Sequence, residues 1–225
     1  MYILPTTDNP EKVDMTVAVP LTEEQASSIL KKRDKTVYEQ LVSSVIECND
    51  FKGEKDQLLL LHTQGKIKPK HLVLVGLGKQ IDLDVEKIRR AFSIIVQKIK
   101  AMKHDKFAAV IAFDKIKEQD AIRAAAEGIL LSNYKFTKYK TEDKDKNKPI
   151  KDVHLLVKKT DYVKDIIAET QIICNATNFV RDMQNENADV MTTLMIEKIS
   201  QDIAKKHKLK ITVFDEKQLK KMGMN

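Results

Sequence analysis

Short apolar runs alternate with longer amphipathic stretches through the first two thirds of the chain. Apolar runs of strand length occur at Met15–Val19, Gln57–His62, His71–Val75, Phe107–Phe113 and Val153–Val157. Between most of them, apolar residues recur at every third or fourth position, which is the spacing of one helix face. Strands that are apolar throughout are buried on both sides, as in a largely parallel sheet flanked by helices. The pattern therefore predicts an α/β fold with a mixed, mostly parallel sheet.

The clearest helix signal follows the run His71–Val75. Asp84 is a suitable N-cap, and apolar residues then recur at Val85, Ile88, Phe92, Ile95, Ile99 and Met102. Further helices are predicted within residues 21–47 and over Gln119–Ser132, Val163–Val180 and Leu194–Lys206, and a last strand at Leu209–Phe214. Residues 137–149 are charged and poor in apolar positions, which predicts a solvated loop.

Composition adds a basic excess to a soluble, foldable chain. The 225 residues are 42% hydrophobic and 32% charged, with a net charge of +7. Residues 205–221 hold seven Lys against Asp215 and Glu216. A basic segment can bind nucleic acid, but a solvated helix face also explains it. We therefore expect no specific nucleic-acid partner.

Two cysteines, Cys48 and Cys174, lie far apart in the sequence. The start of the chain lacks the basic and apolar regions of a signal peptide, and no apolar run reaches the ~20 residues of a membrane span. Free thiols without an export signal predict a cytoplasmic location and no membrane partner.

The strongest candidate for a ligand site is the turn Gly76-Leu77-Gly78, which follows a predicted strand. A dinucleotide fingerprint would need a third Gly where Ile81 stands, and a Walker loop would need Ser or Thr in place of Gln80. We favour a tight turn in which Gly tolerates a positive φ. A phosphate held by the backbone N–H groups of this turn remains the alternative.

No catalytic, cofactor-binding or metal-binding residue can be assigned from the sequence. The five histidines show no i, i+4 pair, and the chain has neither His-Glu-x-x-His nor paired Cys-x-x-Cys. A Gly-x-Ser-x-Gly nucleophile elbow is also missing. The histidines are His62, His71, His104, His154 and His207.

Four stretches, in a fixed order, resemble the leucyl aminopeptidase family of two-domain metallo-exopeptidases. They are His71–Lys79, Ala124–Lys140, the inter-domain segment Asn178–Thr192, and Val213–Asn225. The inter-domain signature is matched by Asn178, Arg181, Asp182, Asn185 and Thr192, whereas Asn187, Asp189 and Thr193 depart from it. The resemblance covers essentially the whole chain and is most specific at Ala124–Lys140.

The resemblance implies a parent enzyme that removes N-terminal residues, Leu preferentially, from peptides. Such an enzyme uses two divalent metals, Zn or Mn, whose ligands all follow Gly223-Met224 in the family pattern. The resemblance also implies a macro-domain-like N-terminal domain at 1–158, a connecting helix at 159–184, and the incomplete start of a catalytic domain at 185–225. The implied partners are the missing catalytic domain and further copies of the chain, since the family forms homohexamers.

From this resemblance we expect the chain alone to be inactive and to serve assembly and structure. Two alternatives stay open at this point. One is a macro-like module that binds a phosphate or ADP-ribose, and the other is a basic nucleic-acid-binding protein.

Overall fold

Six strands form one sheet in the first of the two compact units into which the chain divides. The computed structural model describes residues 1–141 and 148–224. The two units are Met1–Asn178 and Phe179–Asn225. The domain boundaries predicted from the resemblance remain predictions.

The sheet has the order β1-β6-β5-β2-β4-β3. Neighbouring strands are parallel, except that β3 runs antiparallel to β4. The strands are β1 Tyr2–Thr6, β2 Thr16–Leu21, β3 Leu58–His62, β4 His71–Gly76, β5 Lys106–Val110 and β6 Asp152–Leu156. This arrangement confirms the predicted α/β fold with a mixed, mostly parallel sheet.

Helices lie between and after the strands along the chain. They are α1 Glu23–Lys31, α2 Val37–Glu47, α3 Val85–Ala101, α4 Glu118–Asn133, α5 Val163–Asn185, α6 Thr193–His207 and α7 Glu216–Lys221. A single 3₁₀ turn at Gln80–Asp82 precedes α3. Asp84 is the N-cap of α3, as predicted, and its side chain accepts a hydrogen bond from the Lys87 N–H.

Both faces of the sheet carry a hydrophobic core, which explains why the strands are apolar throughout. On one face, α3, α4 and the first part of α5 pack with Val73, Phe107 and Val153. On the other face, α1 and α2 pack with Val19 and Leu74. Since the central strands β2 and β4 bury both sets of alternating side chains, the polar-apolar alternation of a half-exposed strand is missing from them.

The structure differs from the predicted elements in four places. Strand β1 was not predicted, because it is a short edge strand that includes Pro5. Residues 21–47 form two helices, since Thr22 and Thr36 each start a separate capping box. Strand β5 ends at Val110 rather than at Phe113.

The fourth difference is the predicted strand Leu209–Phe214, which is wrong. The described residues 209–214 form no strand, although their apolar residues fit the pattern. A strand needs a neighbour to satisfy its backbone groups, and the six-stranded sheet lies entirely within the first unit. The predicted loop 137–149 lies partly outside the described residues.

None of the helices that the structure describes combines the length and the apolar character that a membrane span requires.

Candidate functional site

The turn Gly76-Leu77-Gly78 has no free backbone donor for a ligand. The Gly76 N–H donates to the Gln57 carbonyl at 2.8 Å, the Leu77 N–H to the Leu21 carbonyl at 2.9 Å, and the Gly78 N–H to the Gly53 carbonyl at 2.8 Å. A phosphate held on these N–H groups would have to replace all three bonds. The geometry therefore contradicts a phosphate site built from this turn.

The same turn shows why glycine is needed on both of its sides. Gly78 has φ +78°, a conformation that side chains of L-residues rarely adopt. A Cβ at Gly76 would lie 1.9 Å from the Glu54 carbonyl oxygen. The two glycines thus let the end of β4 pack closely against the segment before β3. This is the tight structural turn that the sequence favoured.

Three histidine rings meet at the opposite end of the sheet, where the parallel strands begin. His62 ends β3 and lies directly opposite His71, which begins β4. Their ring centroids are 4.9 Å apart with the rings edge to face, and the His104 ring is 5.6 Å from that of His71. The Thr16 hydroxyl, at the start of β2, is hydrogen-bonded to His104 Nδ1 at 3.0 Å.

This histidine cluster borders a pocket of about 360 Å³. The lining includes three lysines and two carboxylates, which are Lys70, Lys103, Lys106, Asp14 and Asp105. Burial holds the pKa of His71 below its ordinary value, and the neighbouring His62, His104 and Lys70 lower it further. The neutral form of the His71 imidazole is thus favoured.

The histidine cluster does not have the geometry of a metal centre. Within residues 1–141 and 148–224, no group of three or more His, Cys, Asp or Glu is placed to hold a metal ion. A two-metal site also needs carboxylates that bridge or flank the ions. The described residues of this chain therefore do not fit the metal pair that the family resemblance implies.

A second candidate pocket lies at the carboxyl ends of β2 and β5. The chain leaves β2 into α1 on one face of the sheet and leaves β5 toward α4 on the other, which makes a topological switch point. The pocket there has a volume of about 530 Å³. The Gln25 side chain crosses it, since its Nε2 donates to the Ala112 carbonyl at 2.8 Å.

The charges of this switch-point pocket are unfavourable for a phosphate. Glu24 and Asp114 both line it. The Gln80 N–H donates to Glu24 at 2.7 Å and lowers the pKa of that carboxyl, so the group is ionised at neutral pH. A nucleotide phosphate would meet two carboxylates here. An ADP-ribose phosphate is therefore disfavoured at both positions, because the N–H groups of the glycine turn are already bonded and carboxylates line the switch-point pocket.

The sequence assigned no site residue, and it missed the histidine cluster. Part of the cluster could have been predicted from the sequence, because His62 and His71 lie at the two ends of a short connection between two predicted strands. An antiparallel pairing of these strands places the two residues opposite each other. His104 and Thr16 carry no such signal, because they come together only through the crossover order of the sheet.

A comparison with known protein families shows to which family this chain is related. Residues 18–143, more than half of the chain, match the model of the N-terminal domain of the cytosol aminopeptidase family. The chain belongs to the cytosol aminopeptidase family.

Two curated members of the cytosol aminopeptidase family show how much of a full sequence is present. The probable cytosol aminopeptidase of Sulfurihydrogenibium sp. (strain YO3AOP1) is 32% identical over 187 residues, which is 81% of this chain and 37% of the relative. That of Geobacter sp. (strain M21) is 27% identical over 228 residues, 100% of this chain and 46% of the relative. The chain thus spans less than half the length of these relatives.

Solved structures support the same fold. A tomato leucine aminopeptidase mutant matches with a TM-score of 0.80 and 17% identity, covering 98% of this chain and 46% of that chain. The bottromycin maturation enzyme BotP matches with a TM-score of 0.67 and 16% identity, covering 93% and 41%. At this identity the likeness concerns the fold of the cytosol aminopeptidase N-terminal domain.

Proposed function

We propose that this chain is the N-terminal, non-catalytic portion of a leucyl aminopeptidase-like metallopeptidase, in which it serves assembly and structure. The observation that carries the proposal is the match of residues 18–143 to the family's N-terminal domain. The proposed parent enzyme removes N-terminal residues, Leu preferentially, from peptides with two divalent metals, Zn or Mn. The proposal includes a cytoplasmic location, which the names of the relatives support.

The exposed apolar side chains of the second unit support the view that this unit is part of a larger domain. Phe179–Asn225 exposes many large apolar side chains, although it buries few. They include Leu194 at 74%, Leu209 at 59% and Phe214 at 48% exposed. Apolar surface of this kind is normally covered by protein. We propose that the remainder of a catalytic domain, as long as the relatives imply, covers it.

The chemistry of the described residues supports a non-catalytic role. One candidate pocket is lined by His71 and His104 with lysines and carboxylates, and the other by two carboxylates. The Thr16 hydroxyl lies 3.0 Å from His104 Nδ1, but Thr16 is only 5% exposed, and among the described residues no carboxylate is hydrogen-bonded to His104 to orient it as a base. We therefore propose that peptide hydrolysis belongs to the domain that the relatives carry in addition.

The test is hydrolysis of Leu-p-nitroanilide by the purified chain with added Mn²⁺ or Zn²⁺. The full-length Sulfurihydrogenibium relative, measured in the same buffers, is the control for the assay. We expect turnover by the relative and none above the buffer blank by this chain. Turnover by the chain that survives a second purification step would contradict the proposed role.

A nucleic-acid-binding role has less support. The lysines of residues 205–221 lie on or beside α6 and α7, which are largely exposed, as expected for a solvated helix face. We propose weak, non-specific attraction at most, which falls steeply as salt is added. Submicromolar binding to a short DNA duplex at physiological salt would contradict this view.

A further inference from the structure

The outer edge of β3 is an unprotected strand edge. The strand pairs with β4 on one side only and ends the sheet. Its sequence, Leu58-Leu-Leu-Leu-His62, contains no charged residue and no proline. All four leucines are partly or largely exposed, with Leu58 at 38%. An apolar edge without charged residues or proline is a template for pairing with another strand.

The hydrogen bonds to β4 show which backbone groups remain for such a partner. The Gly76 N–H donates to the Gln57 carbonyl and the Thr63 N–H to the Lys70 carbonyl. Odd-numbered residues therefore direct their backbone groups toward β4, because the direction alternates along an antiparallel strand. Leu58, Leu60 and His62 direct theirs outward. Within residues 1–141 and 148–224, no partner is recorded for these outward groups.

The other edge of the sheet is protected. Strand β1 includes Pro5, which has no N–H to donate and is typical of edges that avoid pairing. The two edges of the same sheet therefore differ in whether they can accept a further strand.

We propose that β3 pairs with β3 of a second copy of this chain, antiparallel and centred on Leu60, to make one continuous sheet. In this register Leu60 faces Leu60, and Leu58 of each copy faces His62 of the other. Every outward-facing residue then meets an outward-facing residue, so the three pairs form about six hydrogen bonds. Leu59 faces Leu61 across the axis and extends the core on the face of α1 and α2, whereas the Leu60 pair extends the core on the opposite face.

The charges beside β3 favour the antiparallel direction. The segment after the strand carries Lys66, Lys68 and Lys70, whereas residues 52–56 before it hold two lysines and two carboxylates, which balance. A parallel pair would place the two groups of lysines side by side. The antiparallel pair places the lysines of each copy next to the balanced segment of the other, which avoids this repulsion. Because the register pairs the three outward residues with the same three residues of another copy, the edge is self-complementary, which favours a second copy as the occupant.

The association is tested by sedimentation or light scattering of the full chain, from micromolar to hundreds of micromolar. We expect a dimerisation step, best isolated in a full chain that also carries Leu194→Lys and Phe214→Lys, and we expect Leu58→Lys to weaken it by about tenfold or more, because a lysine blocks an edge. Leu58→Pro is expected to act similarly, since it removes an outward N–H and keeps every bond to β4. Val37→Lys is the matched control, because Val37 is also 38% exposed but lies on α2.

The register has a separate test in a Cys48→Ser background, with Leu58→Cys and His62→Cys chains. Directly opposed residues have Cα atoms about 5.5 Å apart, within disulfide range. We expect a disulfide-linked dimer when the two chains are mixed and oxidised in air, and little from either chain alone.

A monomer at every concentration, or a dimer that Leu58→Lys leaves unchanged, would overturn the proposal. Either result leaves the proposed non-catalytic role untouched, since that role is tested by peptide hydrolysis.

Discussion

Gly76 is the single residue at which the packing leaves least room for change. A Cβ there would lie 1.9 Å from the Glu54 carbonyl oxygen and 2.7 Å from the Gly53 carbonyl carbon. Both obstacles are backbone, which cannot rotate away. We expect Gly76→Ala to lower the free energy of unfolding by about 3 kcal/mol or more, as severe overpacking does. Urea unfolding followed by circular dichroism measures it.

Gly65→Ala is the matched control for this prediction. Gly65 has φ +78°, and nothing lies within 4 Å of a Cβ placed there. Its substitution should cost only the conformational penalty of about 1 kcal/mol. Equal effects of the two substitutions would show that the end of β4 yields to a methyl group, against the close packing described above.

His71 makes the stability of the fold sensitive to acid. Burial and the nearby His62, His104 and Lys70 lower its pKa in the folded state below the ordinary value of about 6.5. The unfolded chain therefore binds the proton more readily, and stability is lost as the pH falls from neutral through the lowered folded pKa. We expect the free energy of unfolding to drop between about pH 7 and pH 5.

His71→Gln should make this drop smaller, because it removes the group that resists protonation while keeping a polar side chain. His207→Gln is a control of the same chemistry outside the cluster, and should leave the drop unchanged. Urea titrations at several pH values give the comparison. An equal pH dependence in both variants and the parent chain would mean that the pKa of His71 is not lowered by folding.

Among the helices, α2 has an N-terminus that is capped partly by a side chain from another segment of the chain. The Glu11 carboxylate, in the connection between β1 and β2, accepts a hydrogen bond from the Tyr38 N–H at 2.7 Å. A negative charge at the first turn of a helix also interacts favourably with the helix dipole. We expect Glu11→Gln to cost about 0.5–1 kcal/mol of stability. Asp8→Asn, the same loss of charge in the same connection, should cost less.

The apolar pattern predicted the helices and strands that can be recognised from the spacing of apolar residues within the element itself. Strands β2 to β6 are fully or largely apolar, and α3 shows a continuous apolar face, so their type follows from periodicity. Strand β1 depends on a partner about 150 residues away, which local pattern cannot reveal. For Leu209–Phe214 the reverse holds, since an apolar sequence without a neighbouring strand does not become a strand.

The candidate pockets were less predictable than the elements, for a related reason. Glu24, Gln25 and Asp114 meet only because β2 and β5 are neighbours in the sheet, although α3 and four other helices and strands separate these two strands in sequence. No short motif marks this meeting. The sequence could reject a glycine-rich phosphate loop, because that motif is local, and the hydrogen bonds of the turn agree.

For the molecule as a whole, the exposed apolar surface of Phe179–Asn225 should drive association beyond a dimer. Covering one leucine-sized side chain is worth about 1.5–3 kcal/mol, so several exposed ones suffice for assembly at high concentration. We expect the double change Leu194→Lys with Phe214→Lys to lower the average mass measured by light scattering. Ile81→Lys is the control, since Ile81 is 74% exposed but lies in the first unit.

This prediction concerns a different surface from the edge of β3. A chain with both Leu194→Lys and Phe214→Lys should still form the dimer through β3, and Leu58→Lys should still allow larger assemblies. An unchanged average mass for the double variant would mean that Phe179–Asn225 does not associate through its apolar side chains.

The pairing of β1 with β6 determines when the first strand can join the sheet during protein synthesis. Residues 2–6 are registered with residues 152–156, so the first strand to leave the ribosome finds its partner only after most of the chain has been made. Synthesis at about 5–20 residues per second leaves β1 unpaired for roughly ten seconds or more. Strands β2, β4 and β5 can pair during that time. The start of the chain is therefore among the last parts of the sheet to be put in place.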